Sequence, residues 1–173
     1  MMLTASVASS PCCFWDMVGS TALSRLLDPE DLKELIVCCQ KICEEAAQVH
    51  AGHVAQYLGD GVVMYFGYPR SHEDQAHRAI RCGFDILKGL EAVRDSVRMP
   101  AGTSLAVRLG AHTGRVVVGP LGMGDRTAQI ALGDTPNLAA RIQAEAEPGT
   151  LVASEVTWKI IEGYFTAKCL GQR

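Results

Sequence analysis

The stretch Gln56-Tyr57-Leu58-Gly59-Asp60-Gly61-Val62-Val63-Met64-Tyr65-Phe66 decides how this chain folds. Its apolar arms flank a Gly-Asp-Gly tip, which reads as strand, tight turn, strand, with a carboxylate at the turn. A second carboxylate, Asp16, closes the earlier apolar run Cys12-Cys13-Phe14-Trp15 and opens Asp16-Met17-Val18-Gly19-Ser20-Thr21. Two aspartates at strand ends, each with glycine nearby, point to a divalent-metal site for phosphate chemistry.

Working outward, Pro11 marks the start of a short first strand over 12–16, where a missing N–H is tolerated. Residues 1–11 are expected to be poorly ordered, leaving a single domain over 12–173. Gly19-Ser20-Thr21 begins a short helix through about Leu27. Asp28-Pro29-Glu30-Asp31 then starts a long one: Asp28 as cap, Pro29 in the first turn, acids at the positive end of the dipole. Apolar residues at 32, 35, 36, 39, 42, 43, 46 and 47 keep helical period, and Gly52 ends that helix.

Beyond the hairpin (53–58 and 62–67) a helix runs from about Glu73 to Val93. Leu105, Val107, Leu109 and Ala111 alternate with Ala106, Arg108, Gly110 and His112, the mark of a strand with one buried face. Thr113-Gly114-Arg115 reads as a turn into a strand at 116–118, followed by a glycine-rich connector over 119–126 and a strand near 127–132. A helix from Asp134 to about Ala144, a strand at 151–153 and a helix capped by Ser154 complete the pattern. The connector Gly119-Pro120-Leu121-Gly122-Met123-Gly124-Asp125-Arg126 lacks the Gly-Lys-Ser/Thr ending of a phosphate loop.

Without the first short helix the order is β-α-β-β-α-β plus an αβ unit. This is the α+β, ferredoxin-like split βαβ arrangement, expected with its helices packed on one face. In that topology strands one and two run parallel and strand three lies antiparallel between them. The C-terminal end of strand one then sits beside the turn joining strands two and three. Topology therefore brings Asp16 to Asp60. A bare pair would repel, and one pKa would rise; Mg²⁺ or Mn²⁺ removes the conflict. The helix start at 19–21 turns free N–H groups toward the same edge.

Bulk properties narrow the function classes. A net charge of −3 gives no electrostatic case for nucleic acid or an acidic membrane. No apolar run approaches the ~18 residues that would read as a spanning helix, and Met1–Cys13 has no basic n-region or h-region. Seven cysteines with no C-x-x-C pair read as free thiols of a reducing compartment, so a cytoplasmic location is expected.

Four ordered motifs carry a specific resemblance: Phe14–Ser24 (FWDMVGSTALS), Gly52–Gly67 (GHVAQYLGDGVVMYFG), Val107–Gly119 (VRLGAHTGRVVVG) and Leu132–Gln143 (LGDTPNLAARIQ). Together they resemble class III adenylate/guanylate cyclase catalytic domains over about 12–170, closest to the bacterial domains that precede ATPase or repeat regions in larger regulators. The resemblance implies a homodimer with active sites at the subunit interface, coupled to regulatory domains. Asp16, Asp60 and the Met17 carbonyl would hold two divalent cations, Mg²⁺ or Mn²⁺. Backbone groups at Val18, Gly19, Ser20 and Thr21, together with Arg115, would bind the triphosphate. Asn137 and Arg141, four apart on one helix face, would come from the other subunit to orient the ribose and stabilise charge at the α-phosphate.

The implied reaction converts a nucleoside triphosphate, ATP favoured and GTP possible, to cyclic nucleotide and pyrophosphate. Gln56 and Ile130 stand where the family reads the base with lysine and aspartate or threonine. Gln56 can donate and accept hydrogen bonds; Ile130 can do neither. The family's later phosphate-binding lysine has no counterpart, Lys168 falling too early, so the chain is read as truncated at its C-terminal end. The alternative is a non-catalytic cyclase-like module that binds nucleotide or dimerises. A diguanylate cyclase would need a Gly-Gly-Asp/Glu-Glu-Phe loop in place of Leu58-Gly59-Asp60-Gly61-Val62.

Overall fold

The computed structural model describes residues 6–18, 20–94, 99, 103–121, 128–132 and 134–171. Its elements are β1 (Ser6–Met17), α1 (Ser20–Leu23), α2 (Pro29–Val49), β2 (Gly52–Leu58), β3 (Gly61–Phe66), α3 (Gln75–Arg94), β4 (Val107–Leu121), β5 (Ala128–Leu132), α4 (Asp134–Ala144), β6 (Thr150–Ala153) and α5 (Glu155–Ile161). The strands form one sheet in the order β2-β3-β1-β4-β5, with β6 also paired to β4. β3 lies antiparallel to both β1 and β2, so β1 and β2 run parallel with β3 between them. β4 is antiparallel to β1. This is the split βαβ order expected from the sequence.

Alternation along the strands sorts side chains to two faces. Trp15, Met17, Val62, Met64, Phe66, Val107, Leu109 and Ala111 form one core with buried residues of α2, α3 and α5, among them Cys39, Cys43, Ile80, Ile86 and Ile161. Val63, Tyr65 and Val116 point the other way and pack with Ala139 of α4. The helices therefore do not all share one face: α4 crosses the opposite side of β4. Glycines on β4 permit this. A Cβ on Gly110 would lie 2.4 Å from both the Ala139 carbonyl oxygen and the Gln143 nitrogen, and one on Gly114 would lie 2.4 Å from the Thr135 hydroxyl.

Three local expectations are corrected. β1 begins at Ser6, and its first half pairs with β4 from Ser6↔Val118 to Pro11↔Thr113. Pairing with β3 covers only Cys12 to Trp15. Pro11 thus lies where the strand has a ladder partner on one side, and its missing N–H does not end the strand. Thr113-Gly114-Arg115 is no turn; β4 runs unbroken to Leu121. Asp28 makes no side-chain cap bond to α2, whereas Ser154 caps α5 as expected by accepting from the Thr157 N–H at 3.3 Å. Residues 122–126 of the connector, Met1–Ala5 and Gln172–Arg173 lie outside the described residues. Among the described residues no helix is long and apolar enough to cross a membrane.

Candidate active site

The pairing register places both aspartates at one edge of the sheet. Trp15 pairs with Val62, so the next rung sets Asp16 beside Gly61, one residue from Asp60. Gly61 eases this approach: a Cβ there would stand 3.0 Å from the Trp15 carbonyl oxygen, a tight contact, and 3.6 Å from Asp16 Oδ1. The pKa of the Asp16 carboxyl is pushed up to about 6 by burial first, then by the nearby Asp60 carboxyl; the Met17 N–H and the Arg108 charge act in the opposite direction. The Met17 N–H donates to Asp16 Oδ1 at 3.0 Å, which fixes the carboxyl's orientation.

Asp60 Oδ2 is buried without a hydrogen-bond partner. Two crowded carboxylates, one with an orphaned oxygen, are a donor set that a divalent cation would satisfy. Among the described residues no group of three or more His, Cys, Asp or Glu gathers as a metal cluster. A cation here would take these two carboxylates and fill its remaining positions with other oxygen, from water, phosphate or main chain.

Arg108 is not among the residues that the sequence singles out. It is the direct cross-strand partner of Asp16 on β4, and its Nε is buried without a partner. A lone cation in an apolar alternating strand was visible in Val107-Arg108-Leu109. Its placement against Asp16 required the β1–β4 register, which the sequence does not state.

The other expected residues divide. Gln56 pairs with Val63 after a bulge between Val54 and Gln56, and is exposed on the face that carries Asp16. Ile130 lies on β5 opposite Gly119, its side chain outside the described residues. The Val18 N–H is already engaged, donating to the Ala106 carbonyl at 2.8 Å, so it is not a phosphate donor. Gly19 lies outside the described residues. Ser20 and Thr21 open α1, where N–H groups lack partners within the helix.

Arg115 is not gathered with the aspartates. It pairs with Ser9, seven residues from the Asp16–Arg108 rung, or about 23 Å along the strand at ~3.3 Å per residue. It also falls on the opposite sheet face. Asn137 and Arg141 are exposed on α4. The stripe that α4 buries against the sheet is Thr135, Ala139 and Gln143, and Asn137 and Arg141 lie about 200° around the helix from it at 100° per residue. Within one chain they face away from their own sheet.

A split βαβ sheet with paired carboxylates at the β1 end and the β2–β3 turn defines a domain of the nucleotide-cyclase class. The chain belongs to the adenylate and guanylate cyclase catalytic domain family, whose sequence profile matches residues 6–172. It is 30% identical over 130 residues to adenylate cyclase 1 of Rhizobium meliloti, covering 75% of this chain and 20% of that protein. It is 26% identical over 147 residues to the adenylate cyclase of Anabaena cylindrica, covering 80% and 28%. The chain thus spans under a third of the length of either relative. The adenylyl cyclase CyaB from P. aeruginosa superimposes with a TM-score of 0.85 at 28% identity, covering 92% of this chain and 83% of that one. The guanylyl cyclase Cya2 gives 0.85 and 28%, covering 90% and 79%.

Proposed function

We propose that this domain is a nucleotide cyclase that converts ATP to 3′,5′-cyclic AMP and pyrophosphate at sites shared between two copies of the chain. The observation that carries the reading is the convergence of Asp16 and Asp60, with an orphaned Asp60 oxygen and a proton affinity at Asp16 too high for an isolated aspartate. Preference for ATP is supported by the relatives named adenylate cyclase.

In the proposed reaction the ribose 3′-oxygen bonds to the α-phosphorus and the bond to the β-bridging oxygen breaks. Pyrophosphate leaves with that electron pair, and the hydroxyl proton passes to solvent. Two divalent cations held by Asp16, Asp60 and the Met17 carbonyl would supply charge neutralisation at the triphosphate and acidify the 3′-hydroxyl. Arg108, on the same rung as Asp16, adds a fixed positive charge on the same face. The α1 start at Ser20 and Thr21 offers backbone N–H donors to phosphate oxygens. Gln56 offers donor and acceptor groups to a base on the same face. Asn137 and Arg141, turned away from their own sheet, suit a partner's site, where Asn137 orients the ribose and Arg141 stabilises charge at the α-phosphate.

Cyclic AMP release from ATP with Mn²⁺ tests the reading. Asp16→Ala and Arg141→Ala proteins should each be inactive alone and recover activity on mixing, since one intact site forms per mixed dimer. Two folded variants that show no recovery would contradict the shared site. Wild-type protein with no metal-dependent turnover would leave a nucleotide-binding or dimerising module as the reading.

A further inference from the structure

The turn that carries Asp60 has little packing to hold it. Tyr57 and Leu58, the last residues of β2, are 42% and 44% exposed. Two side chains of α2 reach it instead. Gln40 and Glu44 stand four residues apart, so they share one face of the helix. Gln40 Nε2 donates to the Gly59 carbonyl oxygen at 3.4 Å, and the Tyr57 hydroxyl donates to Glu44 Oε1. The carboxylate as acceptor makes this second bond charge-assisted. α2 is a firm post for both, being 21 residues long and anchored by buried Leu35, Cys39, Cys43, Ala46 and Ala47. Burial and the adjacent Glu44 push the Tyr57 hydroxyl up to about 12, so it remains a donor at neutral pH.

We propose that Tyr57, Glu44 and Gln40 are positioning residues that tether the Asp60 turn to α2 and so keep the Asp60 carboxylate beside Asp16. None of the three contacts the carboxylate pair; they act through the backbone of residues 57–59. The proposal rests on the reading of Asp16 and Asp60 as a cation site, and it extends that site to a helix on the far side of the hairpin.

The test uses nucleotide-free protein and Mn²⁺ alone, with free Mn²⁺ followed by electron paramagnetic resonance and backbone exchange of residues 58–62 followed by hydrogen–deuterium exchange without metal. Tyr57→Phe and Glu44→Ala should each weaken Mn²⁺ binding roughly tenfold, the low end of what losing an outer-shell partner costs. Exchange at the turn should quicken in both while Tm stays unchanged. Glu44→Gln, whose amide oxygen accepts the same O–H, should retain binding. The double variant Tyr57→Phe/Glu44→Ala should be no weaker than either single one, because both remove the same bond. Lys41→Ala, whose ion pair is with Glu45 on the same helix, should behave as wild type. Unchanged Mn²⁺ binding and unchanged exchange in Tyr57→Phe and Glu44→Ala would overturn the tether while leaving the cation site standing. Faster exchange in a protein whose wild type binds no Mn²⁺ would support the tether and count against the cation reading.

Discussion

Gly110→Ala should displace α4, and the structure sets the size of the effect. The new methyl group would stand 2.4 Å from the Ala139 oxygen, 2.4 Å from the Gln143 nitrogen and 2.7 Å from the Gln143 Cα, against 3.4–4 Å for ordinary contact. All three obstacles are backbone, so no side-chain rotation relieves them. The helix must retreat by about 1 Å, or β4 must bend. Overpacking of this kind costs about 1–3 kcal/mol, and three backbone clashes place this case near 3 kcal/mol. For a chain of this length that corresponds to a Tm lower by about 6–12 °C.

Under the proposed shared-site reading, activity should suffer beyond stability, because α4 carries Asn137 and Arg141. A displacement of ~1 Å in a positioned group costs on the order of 10²-fold in rate. Gly149→Ala is the control. Its φ is +76°, with nothing within 4 Å of the added methyl, so only the backbone cost of about 1–2 kcal/mol applies, partly offset by a stiffer unfolded chain. Urea unfolding of the two variants gives the comparison. Gly110→Ala lying within about 1 kcal/mol of wild type, with unchanged m-value, would refute the close approach of α4 to β4.

Two further outcomes follow from the same structure. Asp16 has its carboxyl raised from the ordinary 3.8 to about 6, so between those pH values the folded chain holds a proton that the unfolded chain has lost. The metal-free fold is therefore relatively most stable below about pH 4 and loses that increment as pH rises through 6. The stability difference between wild type and Asp16→Asn, measured in chelator, should fall across that window, and a flat difference would contradict the crowding of the two carboxylates. Ser154→Ala should cost about 1 kcal/mol through loss of the α5 cap, lowering Tm by about 2–4 °C. It also removes the partner of His112 Nδ1, bonded at 2.9 Å; an unchanged Tm would mean the cap contributes nothing.

The meeting of Asp16 and Asp60 was legible because it depends only on strand order, and strand order follows from a hairpin preceded by a strand and a helix. The rest is not legible for one reason. Glycine and proline read locally as punctuation, while their role here is set by neighbours distant in sequence. Gly114 looked like a turn residue, yet it lies mid-strand because Thr135 of α4 comes against it. Pro11 looked like a strand start, yet β1 continues through it where β3 no longer pairs. At the end of α2 the left-handed residue is Ala51, with φ 55°, rather than Gly52. Which arginine lies beside Asp16 is not legible in the sequence, because rung-by-rung register between β1 and β4 is a tertiary property. Only the register shows which arginine stands opposite Asp16.

Calorimetric titration of Mn²⁺ into nucleotide-free protein at pH 6, in two buffers of different ionisation enthalpy, tests the central claim most directly. With the Asp16 carboxyl pushed up to about 6, wild type should bind Mn²⁺ and release protons as it does so. Asp16→Asn and Asp60→Asn should each lose that binding. Either single variant taking up Mn²⁺ as wild type does, or binding without proton release, would contradict a shared carboxylate site.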